Sequence, residues 1–153
     1  MILDEMAVQS WTGQVYGGDG VAEEGLAADA TSSVNGIIAT KPAAASTGEV
    51  GAVFAALCGQ VPDCAGGIYT AEAFDSVVLM ALSAFAQMAS PGATLSQVIM
   101  ATGQGLAGAS GDISFLSNGD VPGSGYCVGD FTEDSDGVSF DCNRTWDVIN
   151  GLS

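Results

Sequence analysis

A single long helix constrains this chain more than any other feature. Between the loop ending at Gly66-Gly67 and the breaker Pro91-Gly92, the sequence predicts a helix from about Thr70 to Ala89. Tyr69 or Thr70 is its expected cap, and Glu72 stands in its first turn, where a carboxylate complements the helix dipole. Ala73, Val77, Ala81, Ala84, Phe85 and Met88 fall on one stripe, while Val78, Leu79, Met80 and Leu82 fill other faces. A helix apolar on most sides is expected to be buried. The apolar run from Val77 to Met88 is interrupted by Ser83 and Gln87, and is expected to be too short to span a bilayer.

The elements around that helix are shorter. Gln14 to Tyr16 reads as a strand running into the turn Gly17-Gly18-Asp19-Gly20, followed by a helix from about Val21 to Ala28. Val34 to Ala39, bounded by Ser-rich and Lys-Pro segments, reads as a buried strand. The two units look like successive strand-helix repeats of an α/β sheet. Ser46-Thr47-Gly48-Glu49 offers a helix start, with Val50, Phe54, Ala55 and Leu57 forming an apolar face up to Cys58. Leu95 to Thr102 reads as another short helix, with Thr94 or Ser96 near its start. From Gly105 onward a Gly-rich connection leads to strands at Ile113 to Phe115, Tyr126 to Val128 and Val138 to Phe140, so the chain is expected to end in a β-hairpin. The 22 glycines fit many tight turns between short elements, and 48% hydrophobic against 13% charged residues is a globular composition. A chain of 153 residues is long enough for one domain of ordinary size.

Charge narrows the function classes. Two basic residues, Lys41 and Arg144, stand against eighteen acidic ones, for a net charge of −16. Nucleic acid is therefore not expected as a partner, and an anionic membrane is a poor one. Such a surface repels itself at low salt, which fits an exported protein in a saline setting, although an acidic surface also serves plain solubility. The chain has no histidine, no Gly-x-Ser-x-Gly elbow and no phosphate loop with a lysine. Imidazole, zinc and phosphoryl chemistry lose their usual groups, so a binder with no cofactor is expected and not an enzyme.

Cys58, Cys64, Cys127 and Cys142 allow three disulfide connectivities. Pairing within each sequence-local pair, Cys58 with Cys64 and Cys127 with Cys142, is the expectation; four buried free thiols are the alternative. Disulfides imply an oxidising compartment, periplasmic or extracellular. The chain opens Met1-Ile2-Leu3-Asp4-Glu5 without the basic and apolar regions of a signal peptide, so further sequence is expected upstream. Asp130, Glu133, Asp134 and Asp136 supply enough oxygens to raise calcium binding, with Asp130, Asp134 and Asp136 as the candidate ligands. Their spacing does not fit the twelve-residue EF-hand loop, and a solvated turn is the simpler reading. Asn143-Arg144-Thr145 fits the N-glycosylation acceptor pattern. Met6, Met80, Met88 and Met100 read as gap-filling core.

Four segments taken in order resemble a known family. They are Gln14-Val15-Tyr16-Gly17-Gly18-Asp19-Gly20, Val34-Asn35-Gly36-Ile37-Ile38-Ala39-Thr40, Tyr69-Thr70-Ala71-Glu72-Ala73-Phe74-Asp75-Ser76-Val77, and Gly111-Asp112-Ile113-Ser114-Phe115-Leu116-Ser117-Asn118-Gly119-Asp120 followed by Gly125-Tyr126-Cys127-Val128. Their order and spacing resemble the last half of the type I periplasmic binding proteins, in particular the branched-chain amino-acid receptors of ABC transporters. The resemblance implies an α/β, periplasmic-binding-protein-like fold, part of a two-lobe Rossmann-like sandwich whose N-terminal lobe is absent from this chain. It implies that residues 1–66 belong to the C-terminal lobe, that residues 67–110 supply helices of the N-terminal lobe, and that residues 111–153 form crossover strands and a disulfide-stapled hairpin.

The implied function is extracytoplasmic capture of a small polar solute, an amino acid, for an ABC permease in the membrane. The family's acidic residue for the solute's α-ammonium group corresponds to Asp19. A cation in a partly dry cleft needs such a paired charge. Gly18 beside it lets the backbone come close to the ligand, and Tyr69 corresponds to the family's aromatic against the ligand. Tyr16 and Trp11 are further cleft candidates. Each has a plain structural reading as well: Asp19 stabilising its own turn, Tyr69 capping or packing. The alternative function is an exported structural protein that self-assembles as a homo-oligomer into a layer or filament, because a partial fold exposes strands and apolar faces.

Overall fold

The computed structural model describes residues 2–23, 25–26, 34, 36–43, 48–62, 64, 67–122, 125–135, 137–147 and 150–153. The chain divides into two units, Met1–Ala43 with Gly125–Ser153, and Ala44–Ser124. These boundaries fall at other positions than the lobe boundaries at residues 66 and 110 that the family resemblance implies.

The first unit is built on a hairpin between β5 (Tyr126–Asp134) and β6 (Gly137–Asp147). It is extended on one side by β2 (Ile38–Pro42) and β1 (Tyr16–Gly17), and on the other by β7 (Gly151–Leu152), giving the order β1-β2-β5-β6-β7. β1 runs parallel to β2, and all other pairs are antiparallel. A short helix, α1 (Ile2–Val8), precedes the sheet. Val34, Ile37 and Phe131 form the buried centre, with Leu3, Val15, Val21, Leu26, Val138 and Phe140 packed against it. Full burial of Phe131 contributes about 2–3 kcal/mol, and its ring meets Phe140 at 5.2 Å between centroids. Lys41 covers the Phe140 ring, its Nζ 5.0 Å from the centroid. Cys127 is bonded to Cys142 across β5 and β6, Cα to Cα 5.6 Å. Beside this bond the register changes: Val128 pairs with Arg144 but Gly129 with Cys142, which leaves Asn143 as the extra residue of a β-bulge.

Several sequence expectations shift here. The strand predicted over Val34–Ala39 begins only at Ile38, because Val34 sits in a 3-10 turn closed by Ile37 N to Val34 O at 3.0 Å, and Gly36 has φ +80°. Lys41-Pro42, expected as a boundary, belongs to β2 and pairs with Cys127 and Tyr126. The helix expected from Val21 starts as turns, with the Val21 and Ala22 amides donating to the Gly18 and Asp19 carbonyls, and only Gly25 and Leu26 are helical among its described residues. Residues 24, 27 and 28 of that helix, and Asn35, lie outside the described residues. The α1 helix was not expected.

The second unit is helical, with α2 (Glu49–Cys58), α3 (Thr70–Ala89) and α4 (Leu95–Gly103), followed by the small antiparallel pair β3 (Leu106–Ala107) and β4 (Asp112–Ile113). Gly48 is the N-cap of α2; the expected start at Ser46-Thr47 lies outside the described residues. Cys58 ends α2 and is bonded to Cys64, Cα to Cα 5.4 Å. Thr94 caps α4 in a reciprocal box with Gln97, which satisfies two amides otherwise left open at a helix start. Phe54 of α2 meets Phe74 of α3 at 5.4 Å.

The face that α3 buries is the opposite of the predicted one. Asp75, Leu79 and Ser83 are its buried residues. The Asp75 carboxylate accepts the amides of Ala109 (2.6 Å) and Ser110 (2.7 Å) and the Ser110 hydroxyl (2.6 Å), and this holds the turn after β3 against the helix. A Cβ on Gly108 would collide with that carboxylate, so the close approach requires glycine there. The predicted stripe exists but faces outward: Val77 is 70% exposed, Phe85 78% and Met88 80%. Met80, also 51% exposed, joins them, so neither Met80 nor Met88 fills core. Over its whole 20 residues, at mean hydropathy 1.2, α3 is long and apolar enough to cross a membrane by length and composition.

Candidate functional site

The glycine-rich turn after β1 is built by the strand and by its own hydrogen bonds. Tyr16 pairs with Ile38 and Gly17 with Ala39, and the chain then turns, with Val21 N to Gly18 O at 3.0 Å and Ala22 N to Asp19 O at 3.0 Å. Asp19 Oδ1 accepts the Gly20 amide at 2.9 Å. The carboxylate therefore stabilises the turn in which it sits. It is half-buried at the end of a strand.

The two glycines of the turn differ in role. A Cβ on Gly17 would stand 2.7 Å from the Val21 side chain, whereas a Cβ on Gly18 would meet nothing within 4 Å. Gly17 is required by packing, and Gly18 leaves open space beside Asp19. Tyr16 is 73% exposed on the same short segment.

Tyr69 belongs to the second unit. It occupies the N-cap position of α3 with φ 66° and ψ 10°, a left-handed conformation unusual for a bulky side chain, and its ring is 48% exposed. At the helix start, Ala73 N donates to Tyr69 O at 2.8 Å, and the Thr70 hydroxyl donates to Gly67 O at 3.1 Å. Such a backbone costs about 1–2 kcal/mol and persists where the surroundings impose it. Tyr16, Gly18 and Asp19 are thus gathered on one turn, and Tyr69 stands in the other unit.

Trp11 lines a different hollow. Its indole N–H donates to Gly13 O at 2.8 Å, and it borders a space of about 440 Å³ with Leu3, Met6, Gln14, Val15 and Ile37, not with Asp19. Gln14 fixes one wall, its amide donating to Gly36 O at 2.8 Å and Val15 O at 3.0 Å.

A third space went unnoticed in the sequence. Thr40, Tyr126, Val128, Trp146 and Leu152 border an apolar hollow of about 480 Å³ on one face of the sheet, where Tyr126 and Trp146 stand 6.1 Å apart. The signal was the alternation of Tyr126 with Val128 and of Arg144 with Trp146, which places each pair on one strand face.

The acidic residues of the hairpin are engaged with neighbours. Asp130 accepts the Asn143 amide, and Asp141 accepts the Thr132 hydroxyl at 2.6 Å. Among the described residues no group of three acidic, cysteine or histidine side chains is placed to hold a metal ion. Asp136, and the side chain of Asp134, lie outside the described residues. Asn143, the glycosylation candidate, is exposed on β6.

No protein-family model matches the chain, and no curated protein matches it. Among solved structures, the fold is similar to that of the leucine-binding protein LivK from Thermotoga maritima MSB8, with a TM-score of 0.69 and 18% sequence identity. The match covers 96% of this chain and 41% of LivK, so the chain spans less than half the length of that relative. At this identity the likeness establishes the fold: the chain has a mixed α/β fold of the periplasmic-binding-protein kind.

Proposed function

We propose that this chain is part of an extracytoplasmic solute-binding protein that captures a small polar solute, an amino acid, and delivers it to an ABC permease. The observation that carries the reading is the fold likeness to a leucine-binding protein over nearly the whole chain. Asp19 is the proposed acceptor of the solute's ammonium group, Gly18 its close backbone neighbour, and Tyr69 and Tyr16 its aromatic cover. The half-buried Asp19 carboxylate and the left-handed Tyr69 backbone support those roles, since strained conformations concentrate at ligand sites. The lobe assignment of residues 1–66, 67–110 and 111–153 forms part of the same proposal. Two disulfides favour a periplasmic or extracellular location. A binder is favoured over a catalyst because the chain holds no histidine and only two cations with which to move protons or stabilise an anionic transition state.

A thermal-shift screen of the common amino acids tests the proposal. A ligand at about 100 times its Kd raises stability by about 2.7 kcal/mol, and Asp19→Asn abolishes that rise. A flat response to every amino acid, or a response that Asp19→Asn leaves intact, overturns it.

A further inference from the structure

We propose that the disulfide between Cys127 and Cys142 is a thiol-exchange site, at which an external thiolate attacks the Cys142 sulfur and Cys127 leaves as a thiolate beside Lys41. The inference does not rest on the solute-binding reading. It starts from the placing of the cations. The chain has eighteen acidic residues and only two basic ones, Lys41 and Arg144, so a cation beside any given side chain is rare. Lys41 is nonetheless the direct partner of Cys127 across β2 and β5, and residues paired in this way stand on the same face of a sheet. Arg144 pairs with Val128, the next residue along β5, and so belongs to the other face.

The two cysteines differ in access. Cys127 is 2% exposed on β5, in the middle of the sheet, whereas Cys142 is exposed on β6. An incoming thiolate therefore meets the Cys142 sulfur first. The new bond joins the external sulfur to Cys142, the bond between the two cysteines breaks, and its electron pair stays on Cys127. One disulfide replaces another, so the step needs no oxidant or reductant besides the thiol. A thiolate left in a buried position is costly unless a positive charge stands near it. Lys41 supplies that charge. Its Nζ lies 5.0 Å from the centre of the Phe140 ring, and Phe140 stands two residues before Cys142 on the same face, which keeps the ammonium group on the sulfur side of the sheet. Cys127 stands opposite Thr145 and Cys142 opposite Gly129, so the bond runs diagonally beside the bulge at Asn143. Exchange releases the bulge from this tie while the ladder on either side remains paired.

Exchange of the full chain with 2-mercaptoethanol, a small thiol with no other charged group, tests this. The reaction is stopped at intervals with iodoacetamide and mapped by peptide mass spectrometry. The expected product carries the mercaptoethanol adduct on Cys142 and the alkyl group on Cys127. Lys41→Gln is expected to slow this opening about threefold or more, measured against Cys58 and Cys64 in the same molecule, because a less stabilised thiolate leaves more slowly. Lys41→Arg restores the rate. Arg144→Gln makes the same change in net charge on the other face and leaves the rate as it was. The position of the adduct on the unaltered chain tests the proposal even where Lys41→Gln fails to fold. An adduct that forms first on Cys127, or opening only at urea concentrations that unfold the chain, overturns the proposal. So does a rate that Lys41→Gln leaves unchanged, that Lys41→Arg does not restore, or that Arg144→Gln lowers equally.

Discussion

Asp75 and Ser110 are joined twice, the Ser110 amide donating to the buried carboxylate at 2.7 Å and the Ser110 hydroxyl at 2.6 Å. With the Ala109 amide, three donors converge on one carboxylate that has no cation beside it in the sequence from residue 76 to 111. The second unit thus closes its turn onto α3 with backbone amides and one hydroxyl. Asp75→Ala strands those donors and is expected to destabilise the protein by roughly 2–4 kcal/mol in urea unfolding. Ser110→Ala removes one donor and leaves the other two, at a cost of about 1 kcal/mol.

Gly17 and Gly18 are adjacent and are expected to respond oppositely. Gly17→Ala sets a methyl group 2.7 Å from Val21 and is expected to cost about 1–3 kcal/mol, as other overpacked positions do. Gly18→Ala meets open space and is expected to stay within about 0.5 kcal/mol of the parent. Thermal unfolding of the two variants measures the difference. If solute binds beside Asp19, Gly18→Ala lowers affinity without changing stability.

Tyr69→Gly separates strain from use. Glycine accepts the left-handed backbone that tyrosine strains to adopt, so the variant is expected to gain up to about 1 kcal/mol in thermal unfolding. An aromatic that covers solute is lost in the same change, so solute affinity measured by calorimetry falls while stability rises.

The two disulfides enclose loops of different length. Cys127 and Cys142 are 15 residues apart, and replacing both with serine is expected to cost about 3 kcal/mol in denaturant unfolding. Cys58 and Cys64 are 6 apart, so their replacement costs less.

Local signals in the sequence found the helices of the second unit. Glycine, proline and capping residues bracket α2, α3 and α4, and Thr94 with Gln97 fixes the start of α4. The two sequence-local cysteine pairs are also the pairs that are bonded. Periodicity defined the α3 stripe but did not tell its direction, because Val77 and Phe85 look equally fit for a core or for a partner. The inner face was hidden by its polarity: Asp75 and Ser83 read as exposed until their neighbours are known. Strand limits were lost where a distant partner decides them. Lys41-Pro42 extends β2 only because Cys127 and Tyr126 lie opposite, and β6 runs to Asp147 although its alternation breaks at Asn143. At the candidate site the sequence delivered the turn around Asp19. It did not deliver the hollow beside Tyr126 and Trp146, whose walls come from four strands.

The inserted Asn143 inverts odd and even along β6. Before it, Phe140 and Cys142 lie on the side of the sheet that holds Phe131; after it, Arg144 and Trp146 point to the other side with Tyr126. Deleting this one residue would close the bulge and leave Arg144 and Trp146 beside Val128 and Tyr126, because the pairings on either side of the insertion already follow one alternation along β5. The insertion thus lets Cys142 and Trp146, four residues apart, serve opposite surfaces of one strand.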